Sequence, residues 1–126
     1  MLSCGHVYIV SIEGGDMGSV SIMGEFEQLV LLAVLRLGYN AYGVTIRHEI
    51  EERTGRPINR GAVYATLDRL ENKGYLSSYL GEPRPVRKGK SRRYYRLEPE
   101  GIEALSEARK ALMAMWSGLE PVLGEI

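Results

Sequence analysis

The chain has 126 residues, and its 16 lysines and arginines balance 16 aspartates and glutamates, so its formal net charge is zero. With 44% hydrophobic and 25% charged residues, the composition is typical of one folded globular domain and excludes an intrinsically disordered chain. One cysteine and two histidines exclude a disulfide framework and a four-ligand zinc site, and no apolar run is long enough to span a membrane. We therefore expect a cytoplasmic protein with no membrane contact, bound metal or cofactor.

Residues 1–22 form an N-terminal extension to which no familiar pattern applies. Their apolar run from Val7 to Ile12 is followed by Glu13 and Asp16 and is not preceded by basic residues, so it does not match a signal peptide. We expect this extension to be a loose tail, with an added strand as the alternative.

The first strongly periodic segment is GEFEQLVLLAVLRLG, residues 24–38. Few polar positions lie between Glu25 and Arg36, and such a helix must be buried on nearly all sides. The sequence therefore predicts a central helix that ends at Gly38. In the next segment, YGVTIRHEIEERTG (42–55), the apolar residues recur every four positions, which predicts a second helix that Gly55 ends.

A third helix is predicted in NRGAVYATLDRLENKG, residues 59–74. Asn59 is a suitable N-cap because its side-chain oxygen can accept a hydrogen bond from a free amide of the first turn. Opposite the apolar stripe, the helix carries Gly61 and Ala65, so this face is small at its N-terminal end. Tyr64 lies on the flank, where partial burial and a hydroxyl contact to a ligand are equally good interpretations.

Two β-like runs, YLSSYL (75–80) and SRRYYRL (91–97), flank a stretch rich in glycine, proline and cations, which predicts a hairpin with a long loop. Seven cations and no carboxylate occur between positions 84 and 96: Arg84, Arg87, Lys88, Lys90, Arg92, Arg93 and Arg96. The rest of the chain holds the other nine cations and all 16 carboxylates. The positive charge is thus concentrated on the predicted hairpin.

The last segment, 98–126, predicts a helix and tail in which Pro99 occupies the first turn. Leucines recur every seven residues with apolar residues at the intermediate seam positions, and only Arg109 breaks this stripe. Such a face requires a partner, and a second copy of the chain is our expectation, with packing onto its own domain as the alternative. The residues expected at this dimer interface are Ile102, Leu105, Leu112, Met115, Trp116 and Leu119.

Three helices followed by a basic hairpin is the order of a winged helix-turn-helix, here over residues 23–97. The predicted fold class is mostly α with a small β-hairpin, extended by a long C-terminal dimerisation helix. In this arrangement helix 59–73 is the recognition helix for the major groove of double-stranded DNA, and the basic wing, 81–96, contacts phosphates. The candidate DNA-binding residues are Asn59, Arg60, Gly61, Tyr64, Ala65, Arg87, Lys88, Lys90, Arg92 and Arg93.

The chain resembles the PadR family of transcriptional regulators between about Met23 and Trp116. The resemblance lies in FEQLVLLAVLRLG, in YGVTI, in NRGAVYATLDRLENKGYL and in RRYYRLEPEGIEAL. It implies a homodimer that binds a palindromic operator and in most cases represses transcription, with Tyr64 and the wing cations as DNA contacts. The single C-terminal helix resembles the short branch of the family.

Other functions were weighed against DNA binding. A winged helix whose basic hairpin binds an acidic protein is the alternative. No nucleophile and base set, metal cluster or glycine-rich phosphate loop occurs, so an enzyme is not expected. The resemblance also implies a small planar aromatic effector between two subunits, next to Met113, Met115 and Trp116, although interface packing is the commoner role of such residues.

Overall fold

A computed structural model describes residues 23–82 and 91–124. The elements are α1 (Glu25–Leu37), a 3-10 turn (Gly38–Asn40), α2 (Gly43–Thr54), α3 (Arg60–Asn72), β1 (Leu76–Leu80), β2 (Arg93–Leu97), α4 (Pro99–Trp116) and α5 (Glu120–Leu123). This mostly helical architecture with one antiparallel hairpin confirms the predicted fold class. The predicted extension and residues 83–90 of the predicted wing, which include Arg87, Lys88 and Lys90, lie outside the described residues.

The ends of α2 and α3 follow the capping signals in the sequence. The side-chain oxygen of Asn59 accepts a hydrogen bond from the Ala62 backbone N–H at 3.0 Å, which confirms the predicted N-cap of α3. Gly55 ends α2 with a φ of 72°, in the left-handed region, and donates its backbone N–H to the Glu51 carbonyl at 2.9 Å.

The core lies where α1, α2, α3 and the hairpin meet. Its fully buried side chains include Val30, Leu31, Ile46, Val63, Leu67 and Leu70, and Leu76 and Tyr95 add the contribution of the strands. The prediction that α1 is buried on nearly all sides is wrong for the single chain, because Leu32 and Leu35 are 42% and 56% exposed. The domain covers one face of α1, and the face with these two leucines remains open.

The hairpin is fixed to the helical part of the domain through the segment before α2. β1 and β2 pair antiparallel, with Leu76 opposite Leu97 and Tyr79 opposite Tyr94. Tyr42 forms an isolated bridge to Tyr94, and the Tyr95 backbone N–H donates to the Ala41 carbonyl at 2.9 Å. β2 therefore lies between β1 and the Ala41–Tyr42 segment. Because successive strand residues point to opposite faces, Tyr95 enters the core and Tyr94 lies on the outer face.

α4 packs against the rest of the domain through its first two turns, where Ala104 and Leu105 also contact the core. A Cβ atom on Gly101 would lie 2.5 Å from the Tyr75 carbonyl oxygen, so glycine is needed for this close approach. The Glu98 backbone N–H also donates to the Tyr75 carbonyl, at 2.9 Å. Gly101 is the one buried residue in α4, all of which the structure describes, so the later turns of the helix are partly or fully exposed.

The C-terminal helix is shorter than the sequence predicts. α4 ends at Trp116, and Gly118 adopts a φ of 88° and donates its backbone N–H to the Glu120 carboxylate at 3.0 Å. Leu119 consequently lies in the turn before α5 rather than in the same helix as Leu112. The prediction that one helical stripe continues to Leu119 is wrong, because a glycine in the left-handed region interrupts it.

Candidate nucleic-acid interface

The N-terminal half of α3 presents an exposed surface of small and polar residues. Asn59, Arg60, Gly61, Tyr64 and Ala65 are all exposed, while Val63, between them in sequence, is completely buried. The guanidinium carbon of Arg60 lies 6.0 Å from the centre of the Tyr64 ring, at the outer limit of a cation–π contact. The structure thus brings the five predicted residues of α3 and its cap to one surface, where a ligand can approach the helix backbone closely.

A cleft of about 140 Å³ separates the first turns of α2 from those of α3. Its lining is Gly43, Val44, Arg47, His48, Arg60, Val63 and Tyr64. A Cβ atom on Gly43 would overlap the Tyr64 hydroxyl group, so the start of α2 packs directly against this ring. The cleft therefore combines a phenol with basic side chains from two helices, a set that can donate hydrogen bonds to an anion.

The sequence pattern did not indicate the residues that α2 contributes to the cleft, among them the exposed His48. The signal that indicates them is the spacing of positions 43, 44, 47 and 48, which places these residues on one helical face. Arg47 is partly engaged already, because its Nε donates to the Ile58 carbonyl at 2.9 Å and lies 3.5 Å from a Glu51 carboxylate oxygen. His48 and Arg60 are exposed and are the more available hydrogen-bond donors of the cleft.

Arg92 and Arg93, which were predicted to have the same role, lie in different surroundings. Arg93 is exposed, and its Nη1 donates at 2.9 Å to the Ser78 hydroxyl, which itself donates to the Glu71 carboxylate at 2.7 Å. The guanidinium of Arg92 lies 4.1 Å from the centre of the Tyr42 ring, and its Nε is buried with no hydrogen-bond partner within residues 23–82 and 91–124. Arg93 therefore remains open to solvent, whereas Arg92 is held against an aromatic ring.

Comparison with known proteins identifies the family. A family model described as the transcriptional regulator PadR-like family matches residues 31–107, which is more than half of the chain. The chain belongs to the PadR-like family. The family is one of transcriptional regulators, which confirms the prediction that the chain is not an enzyme.

Individual PadR-like relatives agree with this assignment. The chain is 42% identical over 71 residues to the transcriptional regulator Rv3488 of Mycobacterium tuberculosis, a match that covers 56% of this chain and 62% of that relative. Among solved structures, it resembles a transcriptional regulator from Clostridium thermocellum with a TM-score of 0.62 and 26% identity, over 76% of this chain and 90% of the other. A PadR family regulator from Eggerthella lenta gives a TM-score of 0.60 and 28% identity, over 79% of this chain and 84% of the other.

Most of the predicted dimer-interface residues of this PadR-like chain are open to solvent. Ile102, Leu112, Met115 and Leu119 are exposed and Trp116 is partly exposed, whereas Leu105 packs against the core of its own chain. Val122 and Leu123 of α5, which the heptad pattern did not indicate, are also exposed. An aromatic effector next to Met113, Met115 and Trp116 stays a prediction.

The opposite end of α3 holds a buried ion cluster that joins this helix to α1. The Glu27 carboxylate is 8% exposed and lies 3.0 Å from the Arg69 Nε and 3.2 Å from the Lys73 Nζ. Burial is the largest single effect on its pKa and raises it, but hydrogen bonds from Arg69, Lys73 and the Gly24 backbone together hold the pKa below the usual 4.5. These two cations of α3 stabilise the fold.

The described part of the chain contains neither a helix that could cross a membrane nor a group of three or more metal-ligating side chains.

Proposed function

We propose that this PadR-like chain is a homodimeric repressor that binds a palindromic operator, with α3 in the major groove and the hairpin against the phosphate backbone. The observation that supports this most is the exposed N-terminal surface of α3, where Gly61 and Ala65 lie beside Arg60 and Tyr64. The major groove is about 12 Å wide and admits a helix, and small residues allow its backbone to approach base edges closely.

The cleft between α2 and α3 is suited to a backbone phosphate at the edge of the groove. His48 and the Tyr64 hydroxyl can donate hydrogen bonds from two helices to one phosphate group. Such contacts position a protein on the duplex without reading its sequence. We therefore assign base readout to Arg60 and Asn59 at the tip of α3, and phosphate binding to the cleft.

The basic hairpin supplies the second group of phosphate contacts. Arg93 is exposed in β2, and Arg87, Lys88 and Lys90 precede it in the sequence. Each phosphate neutralised by a cation releases condensed counterions, so this part of the interface makes binding strongly dependent on salt. The excess of carboxylates elsewhere in the chain limits unspecific adhesion to nucleic acid.

A second copy of the chain covers the apolar surface of α4. Ile102 and Leu112 are each about half exposed and Met115 is 76% exposed, which is a large apolar area for the helix of a monomer. Leu32 and Leu35 give α1 an open apolar face of its own, and we propose that the partner's C-terminal helix packs against it. Two recognition helices held in this way match a palindromic site.

Leu112→Asp tests the proposed dimer. A carboxylate in the centre of the apolar surface should leave a monomer, which light scattering would detect, and binding to a two-half-site operator should weaken about a hundredfold because the second half-site no longer adds avidity. Lys110→Ala, an exposed change on the same helix, is the control and should leave the dimer intact. A dimer that persists in Leu112→Asp would contradict the interface.

Random-site selection with the purified wild-type protein tests the function as a whole. The proposal predicts enrichment of a palindrome whose half-sites are about one helical turn, or a multiple of it, apart. Salt-dependent binding to random duplexes should accompany it. Failure to bind any duplex, together with binding to an acidic protein, would favour the protein-docking alternative. A reporter placed behind the selected palindrome then distinguishes repression from activation.

A further inference from the structure

Three tyrosines form a row across the outer face of the sheet. Tyr94 in β2 lies between Tyr79 in β1 and Tyr42 in the segment before α2. The Tyr79 and Tyr94 rings are stacked, with centres 5.6 Å apart and an interplanar angle of 18°. The Tyr42 ring meets Tyr94 edge to face, with centres 5.5 Å apart. Cross-strand aromatic pairs of this kind stabilise a sheet in one register.

An arginine lies at each end of this row. The guanidinium carbon of Arg96 is 5.2 Å from the centre of the Tyr79 ring, and that of Arg92 is 4.1 Å from the centre of the Tyr42 ring. Both distances are within the range of cation–π attraction, and the Arg92 contact is the closer. The backbone of Arg92 also joins the two strands, because its carbonyl accepts a hydrogen bond at 2.7 Å from the backbone N–H of Gly81, the residue that follows β1.

Arg92 is partly exposed, but its buried Nε distinguishes it from a simple phosphate contact. The Nε lacks a hydrogen-bond acceptor among the described residues, and an approaching phosphate cannot reach this nitrogen. A buried donor without an acceptor is unfavourable, and it persists only where other contacts hold the side chain in place. Here the Tyr42 ring provides that contact.

The Arg92–Tyr42 contact is linked to the recognition helix, α3, through residues that lie next to each other. Tyr42 is the N-cap of α2, and the next residue, Gly43, packs so tightly against Tyr64 that a side chain there would overlap its hydroxyl. The base of the wing and the DNA-facing surface of α3 are therefore joined at Tyr42 and Gly43. Movement of Arg92 away from Tyr42 would leave the hairpin held to this segment by the Tyr42–Tyr94 bridge and the Tyr95–Ala41 hydrogen bond, so its position relative to α3 would be less firmly fixed.

We propose that Arg92 and Tyr42 form a latch that fixes the wing at one position relative to the recognition helix, so that Arg92 is a positioning residue rather than a phosphate contact. The inference rests on the proposed function, because fixing the wing matters for a duplex that both elements must contact at once. It assigns different roles to two adjacent arginines, since Arg93 remains a candidate phosphate contact.

Replacing Arg92 with lysine distinguishes a positioning residue from a phosphate contact. Lysine keeps the positive charge but lacks the planar guanidinium that lies over an aromatic ring. Arg92→Lys should bind the selected palindromic duplex about fivefold more weakly than the wild type, which corresponds to the loss of one cation–π contact. Its affinity for a random duplex and its salt dependence should be unchanged. Arg53→Lys, a matched change at an exposed arginine of α2 outside the proposed interface, is the control and should bind both duplexes like the wild type.

Tyr42 provides a second test in which no charge changes. Tyr42→Phe keeps the ring and should bind like the wild type, whereas Tyr42→Leu should show the same selective loss for the palindrome as Arg92→Lys. Circular dichroism and thermal unfolding establish that each variant is folded. A Tyr42→Leu protein that is folded and binds the palindrome as tightly as Tyr42→Phe would overturn the latch.

Hydrogen exchange of the free protein makes the test independent of DNA. The Tyr95 amide, which bonds to Ala41, and the Gly81 amide, which bonds to Arg92, should exchange faster in Arg92→Lys than in Arg93→Lys. Equal exchange in the two variants would overturn the latch. Faster exchange in a protein that binds no duplex would instead sustain the latch and reject the proposed function, so the two failures are distinguishable.

Discussion

The two ends of α3 carry similar cations in opposite surroundings. At the C-terminal end, Arg69 and Lys73 lie 3.0 and 3.2 Å from the buried Glu27 carboxylate and join α3 to α1. At the N-terminal end, Arg60 has no ion-pair partner within the part of the chain that the structure describes, and it lies beside Tyr64 and the cleft. One end of the helix is thus held by its charges, and the other end offers a charge to a ligand.

The difference shows that a cation's role depends on what lies opposite it. Lys73 and Arg60 are both basic residues on or next to one short helix, and only the position of Glu27 in α1 makes the first structural. The hairpin shows the same dependence. Arg92 and Arg93 are neighbours in sequence, but Arg92 lies over the Tyr42 ring and Arg93 lies beside Ser78. The concentration of cations predicts binding to nucleic acid, but it does not indicate which of the cations would contact the nucleic acid.

The largest effect is expected at the structural end of α3. Glu27→Ala leaves Arg69 and Lys73 without their carboxylate and should lower the free energy of unfolding by about 2 kcal/mol, less than for a fully buried pair because both cations are partly exposed. Urea unfolding measures this loss. Glu25→Ala, which removes an exposed carboxylate 3.3 Å from Arg56, is the control and should cost less than about 0.5 kcal/mol. Equal losses in the two variants would contradict the comparison.

Replacing Arg60 and Arg69 with glutamine, one at a time, compares the two ends of α3 directly. Arg60→Gln should weaken binding to the operator about tenfold if it contacts a base edge, and leave stability unchanged. Arg69→Gln should lower stability, with little effect on DNA affinity per folded molecule. Fluorescence anisotropy with a labelled duplex, combined with urea unfolding, measures both properties in each variant. The comparison fails if Arg69→Gln weakens DNA binding as much as Arg60→Gln.

A smaller loss of operator affinity is expected from a change at the start of α2, where Gly43 packs against Tyr64 of α3. Gly43→Ala places a methyl group against the Tyr64 hydroxyl, so the ring must move and operator affinity should fall about fivefold. Gly24→Ala is a matched control, because no atom lies within 4 Å of a Cβ there. Anisotropy titration measures both, and unchanged binding by Gly43→Ala would show that the position of Tyr64 is unimportant.

The smallest effect is a dependence of stability on pH. Because the pKa of Glu27 is lower in the folded chain than its usual 4.5, the ion cluster contributes fully above about pH 4.5 and is lost as the pH falls through the folded pKa. Stability should therefore decrease in acid. Glu27→Gln removes this titration, so urea midpoints of the two proteins should converge at low pH. Parallel pH profiles would show that Glu27 does not contribute.

The sequence was sufficient for those features that local chemistry determines. The cap at Asn59, the end of α2 at Gly55 and the start of α4 at Pro99 follow from backbone groups within a few residues of each other. The alternation of Tyr94 and Tyr95 follows from strand geometry. Periodicity also indicated the buried stripe of α3 correctly, because a helix buries one face regardless of the elements that cover it.

Features that depend on the relative position of distant segments could not be predicted. The open face of α1 at Leu32 and Leu35 was missed because apolar composition does not show whether the chain itself or another molecule covers a helix. The interruption before Leu119 was missed because the heptad spacing continues through Gly118, whose left-handed conformation only the coordinates reveal. The cleft between α2 and α3 depends on their packing angle, so its residues from α2 were not grouped with Arg60.

What the sequence determined by itself is the order of helices and strands, the polarity of each face and the concentration of positive charge on the hairpin. Each of these depends on residues close together in the chain. Tertiary structure decided that Glu27 neutralises Arg69 and Lys73, and that Arg92 lies over Tyr42 while Arg93 remains exposed. The physical reason is that the two groups of an ion pair must lie within a few ångströms of each other to attract strongly. Glu27 and Arg69 are 42 positions apart in sequence and become neighbours only after the chain has folded.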